Sequence, residues 1–467
     1  MKKTLVAGAL AALMFSSGAF AESADIIVIG SGGAGLSSAI VATEAGAKVI
    51  VLEKMGYFGG NSNRAEGGMN AAGTKQQKAD GILDDSPEVF YADTMKGGHN
   101  LNNPALLKTF TENAAASEEW LLSLGAKFCH RMGRGGGQTR ARSHGPCDGS
   151  PVGIELMRVL GERADQDKID MRSLNQVSEI LMKDGKVAGV RVKTSDGEKT
   201  IDAKAVILAA GGFGASQDLV TKYRPELKGF STTNHPGATG DGIVLAEKAG
   251  AALTDIEQIQ IHPTVVKRNG ALISESMRSR GGFLLNKEGK RFTNELLTRD
   301  VVSKNELQQP GGVAYLIVDN SIYTKNKLLR SYVSNGLVTK CDTVEDVAKF
   351  IKADPAVVKA SFEQYWGAYD AKKDELFGRP EMVIRMDQAP FYAVEVTPGI
   401  HHTMGGVTIN PKAEVISKKG ASIPGLFAAG EVTGGVHGGN RIGGNAVTDI
   451  VTFGRIAGAS AAKYVGK

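Results

Sequence analysis

Cysteine is scarce in this 467-residue chain, with only Cys129, Cys147 and Cys341 present. Three cysteines allow at most one disulfide within the chain, so no disulfide framework carries the fold. C-x-x-C-H does not occur, which excludes a covalently attached c-type haem. C-x-x-C does not occur either, which argues against a structural zinc or a cysteine-ligated iron–sulfur cluster. Beyond the first residues no stretch reaches eighteen apolar residues, so no membrane-spanning helix is expected there. Charge of one sign is not concentrated anywhere. The formal balance is +5 and the basic residues are scattered, so no nucleic-acid footprint forms. A mild positive balance suits small anions or an acidic partner, although solubility alone accounts for it over most of the surface.

The opening stretch "MKKTLVAGALAALMFSSGAFA" sets Lys2 and Lys3 before an apolar run from Leu5 to Phe15 and ends on Ala19-Phe20-Ala21. That order predicts a secretory leader, residues 1–21, cleaved after Ala21, and a periplasmic protein with no membrane insertion of the mature chain. No twin arginine is present, so export as an unfolded chain is expected, with any cofactor inserted afterwards. Losing Lys2 and Lys3 takes the formal charge from +5 to +3. The remainder is long enough for two or three domains with cores of their own. Glycine is plentiful, 60 of 467, against a usual share of about 7%. It clusters in short motifs, as backbone held close to a ligand requires.

"ADIIVIGSGGAGLSSAIVATEAGAKVIVLEK" reads as strand, tight turn, helix and strand. Gly30, Gly32 and Gly35 form G-x-G-x-x-G directly after the apolar run Ile26 to Ile29. A helix is expected from about Ala34 to Ala45, then a strand from Val49 to Leu52 ending at Glu53. Gly30 makes the turn, Gly32 lets a pyrophosphate approach the backbone, and Gly35 lets helix and strand pack. Glu53 accepts both ribose hydroxyls and disfavours a 2′-phosphate, which leaves FAD or NAD. "GGNSNRAEGGMNAAG", Gly59 to Gly73, is a second glycine-rich loop with room for a ring system. "AKAVILAAGGFGAS" and "GLFAAGEVTGG" are further apolar strands ending at Gly211-Gly212 and at Gly430-Glu431. A sheet whose last ligand-facing strand comes from the far C-terminus is interrupted by an insertion. That is a Rossmann-like α/β architecture of the two-dinucleotide-binding-domain flavoproteins, and it selects FAD.

Outside the glycine motifs, Arg441 in "GGNRIGGNA" has five glycines within six residues and little local core to join. Its fork matches a carboxylate. His262 precedes Pro263, which places it at a chain turn; taken alone, such a histidine reads as structural. Glu275 and Arg278, three apart, read from spacing alone as a solvated ion pair on a helix face. "HHTMGG", His401 to Gly406, holds two imidazoles and a thioether that suit a metal, a haem, an anion or plain packing. Adjacent residues of an extended segment point in opposite directions, so His401 and His402 are expected to serve different ligands.

These residues, with "IQIHPT", "SESMR", "NELLTRD", "GIHHTMGG" and "EVTGGVHGGNRIGGNA", resemble the fumarate reductase and succinate dehydrogenase flavoprotein family, most nearly its soluble periplasmic flavocytochrome c fumarate reductases. The resemblance covers essentially all of the chain after the leader. It implies an FAD-dependent oxidoreductase acting on CH–CH groups: hydride passes from flavin N5 to one carbon of an alkene carboxylate while Arg299 protonates the other. Glu275 and Arg278 would reprotonate Arg299. His401, Arg441 and Gly444 would hold one carboxylate, and His262 and Ser274 the second, near Glu275. Ser274 stands where the family usually has threonine. Members that bind flavin covalently carry a histidine where this chain has Asn61, so non-covalent FAD is implied. The implied cofactor contacts are Ala34, Glu53, Asn61, Ser62, Gly67, Gly68, Val177, Asp241, His402, Glu431, Ala446 and Val447. Arg64 departs from the small or apolar residue expected in that loop. The multihaem domain of many relatives is not found, which implies electrons from a separate c-type cytochrome.

The expected organisation is a flavin domain over 24–255 and 402–467, and an α+β capping domain over 256–401. The cap should hold a hairpin at "GGFLLNKEGKRFTNE" and helices near Val344–Lys352 and Ala356–Lys373. Fumarate is the leading substrate. Methacrylate, urocanate or another acrylate keeps the same chemistry, with Leu272 and Ser274 as the positions where specificity would shift. A flavin dehydrogenase or oxidase, and an electron-transfer flavoprotein without catalysis, complete the alternatives. No metal site is expected.

Overall fold

A computed structural model describes residues 22–129 and 132–467. The expected leader and its cleavage site lie outside the described residues. The first strand, Glu22–Ile29, is followed by the helix Gly33–Glu44 and the strand Val49–Leu52. Each boundary falls within a few residues of the one that the glycine spacing and apolar runs predict. Ile26, Ile27 and Val28 are wholly buried, as a central parallel strand covered on both faces must be.

The larger sheet runs in the order Glu414–Ile416, Ser422–Ala428, Gly197–Leu208, Glu22–Ile29, Val49–Leu52 and Asp170–Arg172. Along this path all neighbours are parallel except the edge strand Glu414–Ile416. Ile29 registers with both Leu52 and Leu208, and Leu208 with Ala428. The carboxyl ends of four strands therefore share one edge, where an open α/β sheet takes its ligand. The strand ending at Leu208 starts earlier than its apolar core suggests. Its first half pairs with Lys186–Thr194 in an antiparallel meander that also contains Gln176–Lys183.

The C-terminal helix Asn445–Tyr464 lies against Gly33–Glu44, and small residues permit the approach. A Cβ on Gly454 would come within 2.8 Å of the Ala34 carbonyl oxygen, and one on Gly458 within 2.4 Å of that of Ser38. Among the described residues no helix is long and apolar enough to cross a membrane.

The second sheet is antiparallel, in the order Ile259–Val266, Phe391–Thr403, Ala314–Asp319 and Phe283–Leu285, with Thr339–Cys341 also paired to Phe391–Thr403. The helices Val344–Ile351 and Pro355–Asp370 form as the sequence predicts; Asp354 caps the second one and Pro355 opens it. Phe283, Phe362 and Tyr365 anchor the core beneath them. The hairpin expected at "GGFLLNKEGKRFTNE" shrinks to one bridge, Leu285 to Arg291, and Phe283–Leu285 pairs with Ala314–Asp319 instead. Arg291, at that bridge, sends its side chain inward to Glu295 at 3.1 Å and Asp374 at 3.0 Å. Phe391–Thr403 joins the two halves: Phe391 and Val396 belong to this core, and Ile400 to the core of the larger sheet.

A Cβ at Gly35 would lie 2.0 Å from the Gly30 carbonyl oxygen, a backbone atom that cannot swing aside. Gly35→Ala should therefore destabilise the protein by ~1–3 kcal/mol through overpacking. An unchanged thermal midpoint would show that helix and strand do not need this glycine.

Candidate active site

At the shared edge, Gly30 adopts φ +102°, and a Cβ there would meet the Ala209 carbonyl oxygen at 2.5 Å. The Glu53 carboxylate is held in place, accepting the Ser31 N–H at 3.1 Å, the Ser31 hydroxyl at 2.7 Å and the Met55 N–H at 2.9 Å. Gly30, Gly32, Ala34, Glu53, Val177 and Asp241 line a narrow cleft here. Through Asn61, Ser62 and Glu431 it opens into a cavity of about 1800 Å³ lined also by Gly67, Gly68, His402, Gly444, Ala446 and Val447. Gly35 stays behind the wall, as a packing position should. Two long helices present their N-termini to the joined cleft, one at Gly33 and one at Asn445, where Gly444 turns the chain at φ +91°. Their unpaired N–H groups suit phosphate and other anionic atoms. The surface fits FAD: a narrow glycine-rich cleft for the dinucleotide, an acid for the ribose and a wide chamber for the ring.

Arg64 has a role in this wall. Its Nη1 donates to the carbonyls of Thr233 at 3.3 Å and Asn234 at 3.2 Å. Thr233 Oγ1 in turn lies 2.8 Å from His401 Nδ1, so Arg64 braces the loop that orients that histidine.

The substrate residues converge on the same chamber. Arg299, the first residue of the helix Arg299–Leu307, donates through Nε to Glu275 Oε2 at 2.7 Å and through Nη1 to Gln260 Oε1 at 3.0 Å. Arg441 Nη2 reaches the same Gln260 oxygen at 3.3 Å. Arg278 Nη2 lies 3.7 Å from Glu275 Oε1 on the far side of the carboxylate, and its side chain is 1% exposed. The solvated ion pair that spacing suggests for Glu275 and Arg278 is thus corrected to a buried one, because a four-residue helix, Ser276–Ser279, folds both inward. Burial works to raise the Glu275 carboxyl, but Arg299 and Arg278 outweigh it and hold the group down at about 2. Burial and the neighbouring Arg299 push Arg441 down to about 9. Arg299 and Arg278 both face the one carboxylate of Glu275.

His262 stands inside the strand Ile259–Val266, not at a chain turn. The turn expected at Pro263 is a register irregularity between His262 and Val265, since proline brings no N–H to the ladder. The Thr264 N–H donates to His262 Nδ1 at 3.2 Å, so the proton sits on Nε2. Among the described residues that Nε2 is buried without a hydrogen-bond partner, and His262 lines the chamber. Ser274 lines it too, accepting the Ser276 hydroxyl at 3.0 Å. His401 and His402 diverge as an extended strand requires. The His401 ring lies 4.9 Å from that of His262, whereas His402 lies 5.4 Å from the His437 ring and 3.5 Å from Glu431 Oε1. Burial first, and then the Arg299 and Arg441 guanidiniums among the nearby charges, hold His262, His401 and His402 well below the usual histidine range, so all three are neutral at physiological pH. Among the described residues no group of three His, Cys, Asp or Glu side chains is arranged to hold a metal.

Gln260 and Gly136 were missed by the sequence reading. Gln260 lies two residues before His262 on the same strand face, so alternation in "IQIHPT" carried the signal. The Gly136 N–H donates to Glu275 Oε1 at 3.1 Å from a loop closed by the Cys129–Cys147 disulfide. Nothing local marks it.

A family model described as an FAD binding domain matches residues 25–447. The chain is 46% identical over 448 residues to a fumarate reductase (cytochrome) of Shewanella frigidimarina, a match covering 96% of this chain and 78% of that protein. It is also 46% identical over 457 residues to an NADH:fumarate oxidoreductase of Klebsiella pneumoniae (strain 342), covering 97% of this chain and 49% of the other. Among solved structures, the open conformation of a flavocytochrome c3 fumarate reductase matches with a TM-score of 0.81 at 44% identity, over 96% of this chain and 79% of that one. By the match over residues 25–447 and the identity along nearly the whole chain, the chain belongs to the FAD-binding fumarate reductase and succinate dehydrogenase flavoprotein family.

Proposed function

We propose that the protein reduces the carbon–carbon double bond of an alkene carboxylate, with fumarate to succinate as the leading reaction. The observation that carries this reading is the pair of buried guanidiniums on the chamber wall, Arg299 and Arg441, with Arg299 tied to Glu275 and Arg278 behind it. Carboxylates match those guanidiniums. Arg441, with His401, takes one carboxylate, near Gly444; His262 Nε2–H and the Ser274 hydroxyl take the second. FAD, when bound, supplies the hydride from N5 to one alkene carbon.

Arg299 supplies the proton to the other carbon. A guanidinium is a weak acid, but the carbon becomes strongly basic as hydride arrives, and transfer at hydrogen-bond range follows. The same guanidinium stabilises the developing negative charge. Glu275, at 2.7 Å, returns a proton to Arg299, and Arg278 reloads Glu275. FAD is held without a covalent bond, Asn61 standing at the attachment position. The leader supports a periplasmic location, and the absence of C-x-x-C-H from the 467 residues supports a separate c-type cytochrome as donor. Another enoate, such as methacrylate or urocanate, is the second reading. The hydroxyl retained at Ser274, with His262 and His401, favours a dicarboxylate over it, and Leu272 and Ser274 are the positions where specificity would shift.

Arg299→Ala should lower alkene reduction by about 10²–10⁴-fold with FAD content unchanged; near-normal turnover would remove Arg299 as the acid. Replacing Arg441 by Met should raise the Michaelis constant at least about tenfold, since hydrogen bonds to charged groups contribute ~1.5–3 kcal/mol. An unchanged constant would place Arg441 outside the binding site. Reoxidation of the chemically reduced flavoprotein should be fast with fumarate and slower with other enoates. No response to any enoate would refute the reaction class.

A further inference from the structure

Glu66 is a carboxyl on the chamber wall that the proposed reaction leaves unused. It belongs to the glycine-rich loop "NRAEGG". The Tyr332 hydroxyl, from the helix Lys327–Ser334, donates to Glu66 Oε2. The Ser274 N–H donates to that same hydroxyl at 3.1 Å. Two hydrogen bonds thus separate Glu66 from the position assigned to the second substrate carboxylate. Among the described residues Glu66 makes no ion pair, and Tyr332 is its hydrogen-bond partner; Gln260 and Glu275 gather the three arginines elsewhere in the chamber.

The surroundings of Glu66 are nearly free of charge. From the cap, Tyr332 and Ser274 face it, and the Lys327–Asp148 pair, 2.9 Å apart, marks the start of the Tyr332 helix. On its own loop, Arg64 is turned to the carbonyls of Thr233 and Asn234. From the helix Val152–Gln166, the Gly153 N–H bonds the Ala65 carbonyl. Burial raises the Glu66 carboxyl to about 7, although the Tyr332 hydrogen bond pulls the other way. The Tyr332 hydroxyl is itself pushed well above the usual phenol range, so it remains a donor.

We propose that Glu66, oriented by Tyr332, is a specificity-determining residue: it meets the substituent at the end of the enoate away from Arg441, and accepts a second carboxylate there only while it holds its proton. A protonated Glu66 donates a hydrogen bond to that carboxylate; an ionised one opposes it as a like charge. An uncharged substituent, such as the methyl group of methacrylate, is indifferent to the change. The proposal rests on the enoate-reductase reading, and it makes the preference between dicarboxylate and monocarboxylate a function of pH. His262 and His401 are held too low to titrate in the same range.

The test compares kcat/KM for fumarate and for methacrylate, on the FAD-loaded full chain with a chemically reduced viologen as donor, from about pH 6 to about pH 8.5. In the wild type the fumarate-to-methacrylate ratio should fall by up to about tenfold per pH unit above the Glu66 range, as a single ionisation requires. Glu66→Gln should hold the ratio flat at or above its low-pH value. Tyr332→Phe, which removes the hydrogen bond favouring ionised Glu66, should move the fall to higher pH. A flat wild-type ratio, or a Glu66→Gln variant that keeps the fall, overturns the proposal alone. Absence of turnover with either enoate removes the enzymatic reading and the proposal with it.

Discussion

Two buried guanidiniums, Arg299 and Arg441, converge on one amide oxygen of Gln260. Like charges brought so close and stripped of water are costly unless anions answer them. Glu275 answers one, and its carboxyl is held far down as a result. Burial first, and Arg299 after it, push Arg441 down, and an anionic ligand beside it would offset both. Such a cluster persists only because the surrounding fold holds it, and most of the architecture near the chamber serves that end. The strand Ile259–Val266 presents Gln260 and His262, the short helix Ser276–Ser279 turns Arg278 inward, and the disulfide-closed loop aims the Gly136 N–H at Glu275.

The same cost explains why the histidines stay neutral. A protonated imidazole beside Arg299 and Arg441 would add a further buried cation, so burial and repulsion both act against it. Neutral rings donate or accept single hydrogen bonds and orient a ligand without competing for its charge. The strand Phe391–Thr403 divides this work, sending His401 toward Thr233 and His262, and His402 toward Glu431 and His437. "HHTMGG" is in this way a structural bridge whose two imidazoles address opposite sides of one wall. The cleft that fits FAD is glycine-rich, so the cofactor end of the chamber depends on glycine, and the substrate end on buried charge.

Much of the cofactor end was legible in the sequence. A strand, a tight turn, a helix and an acid at fixed spacing are local, and hydrophobic periodicity with glycine placement determines them within about thirty residues. The elements around Gly30 and Glu53 follow that spacing closely. The substrate end was legible only in its residue types. Local spacing made Glu275 and Arg278 a surface pair and put His262 at a turn, because spacing says nothing about burial. The hairpin after Gly282 shrank for a related reason: Phe283–Leu285 pairs instead with Ala314–Asp319, a strand some thirty residues on that no local pattern announces.

By itself, the sequence determined the dinucleotide fold, the interruption of the sheet and the chemical types available for catalysis, since these follow from short-range sterics and from the apolar pattern. Only the tertiary structure decided which charges lose their water, which carboxyl faces Tyr332 and which oxygen two arginines share. Those properties arise from segments tens to hundreds of residues apart meeting in one chamber. Electrostatic energy there depends on distance and dielectric, neither of which is written in any local stretch of the chain.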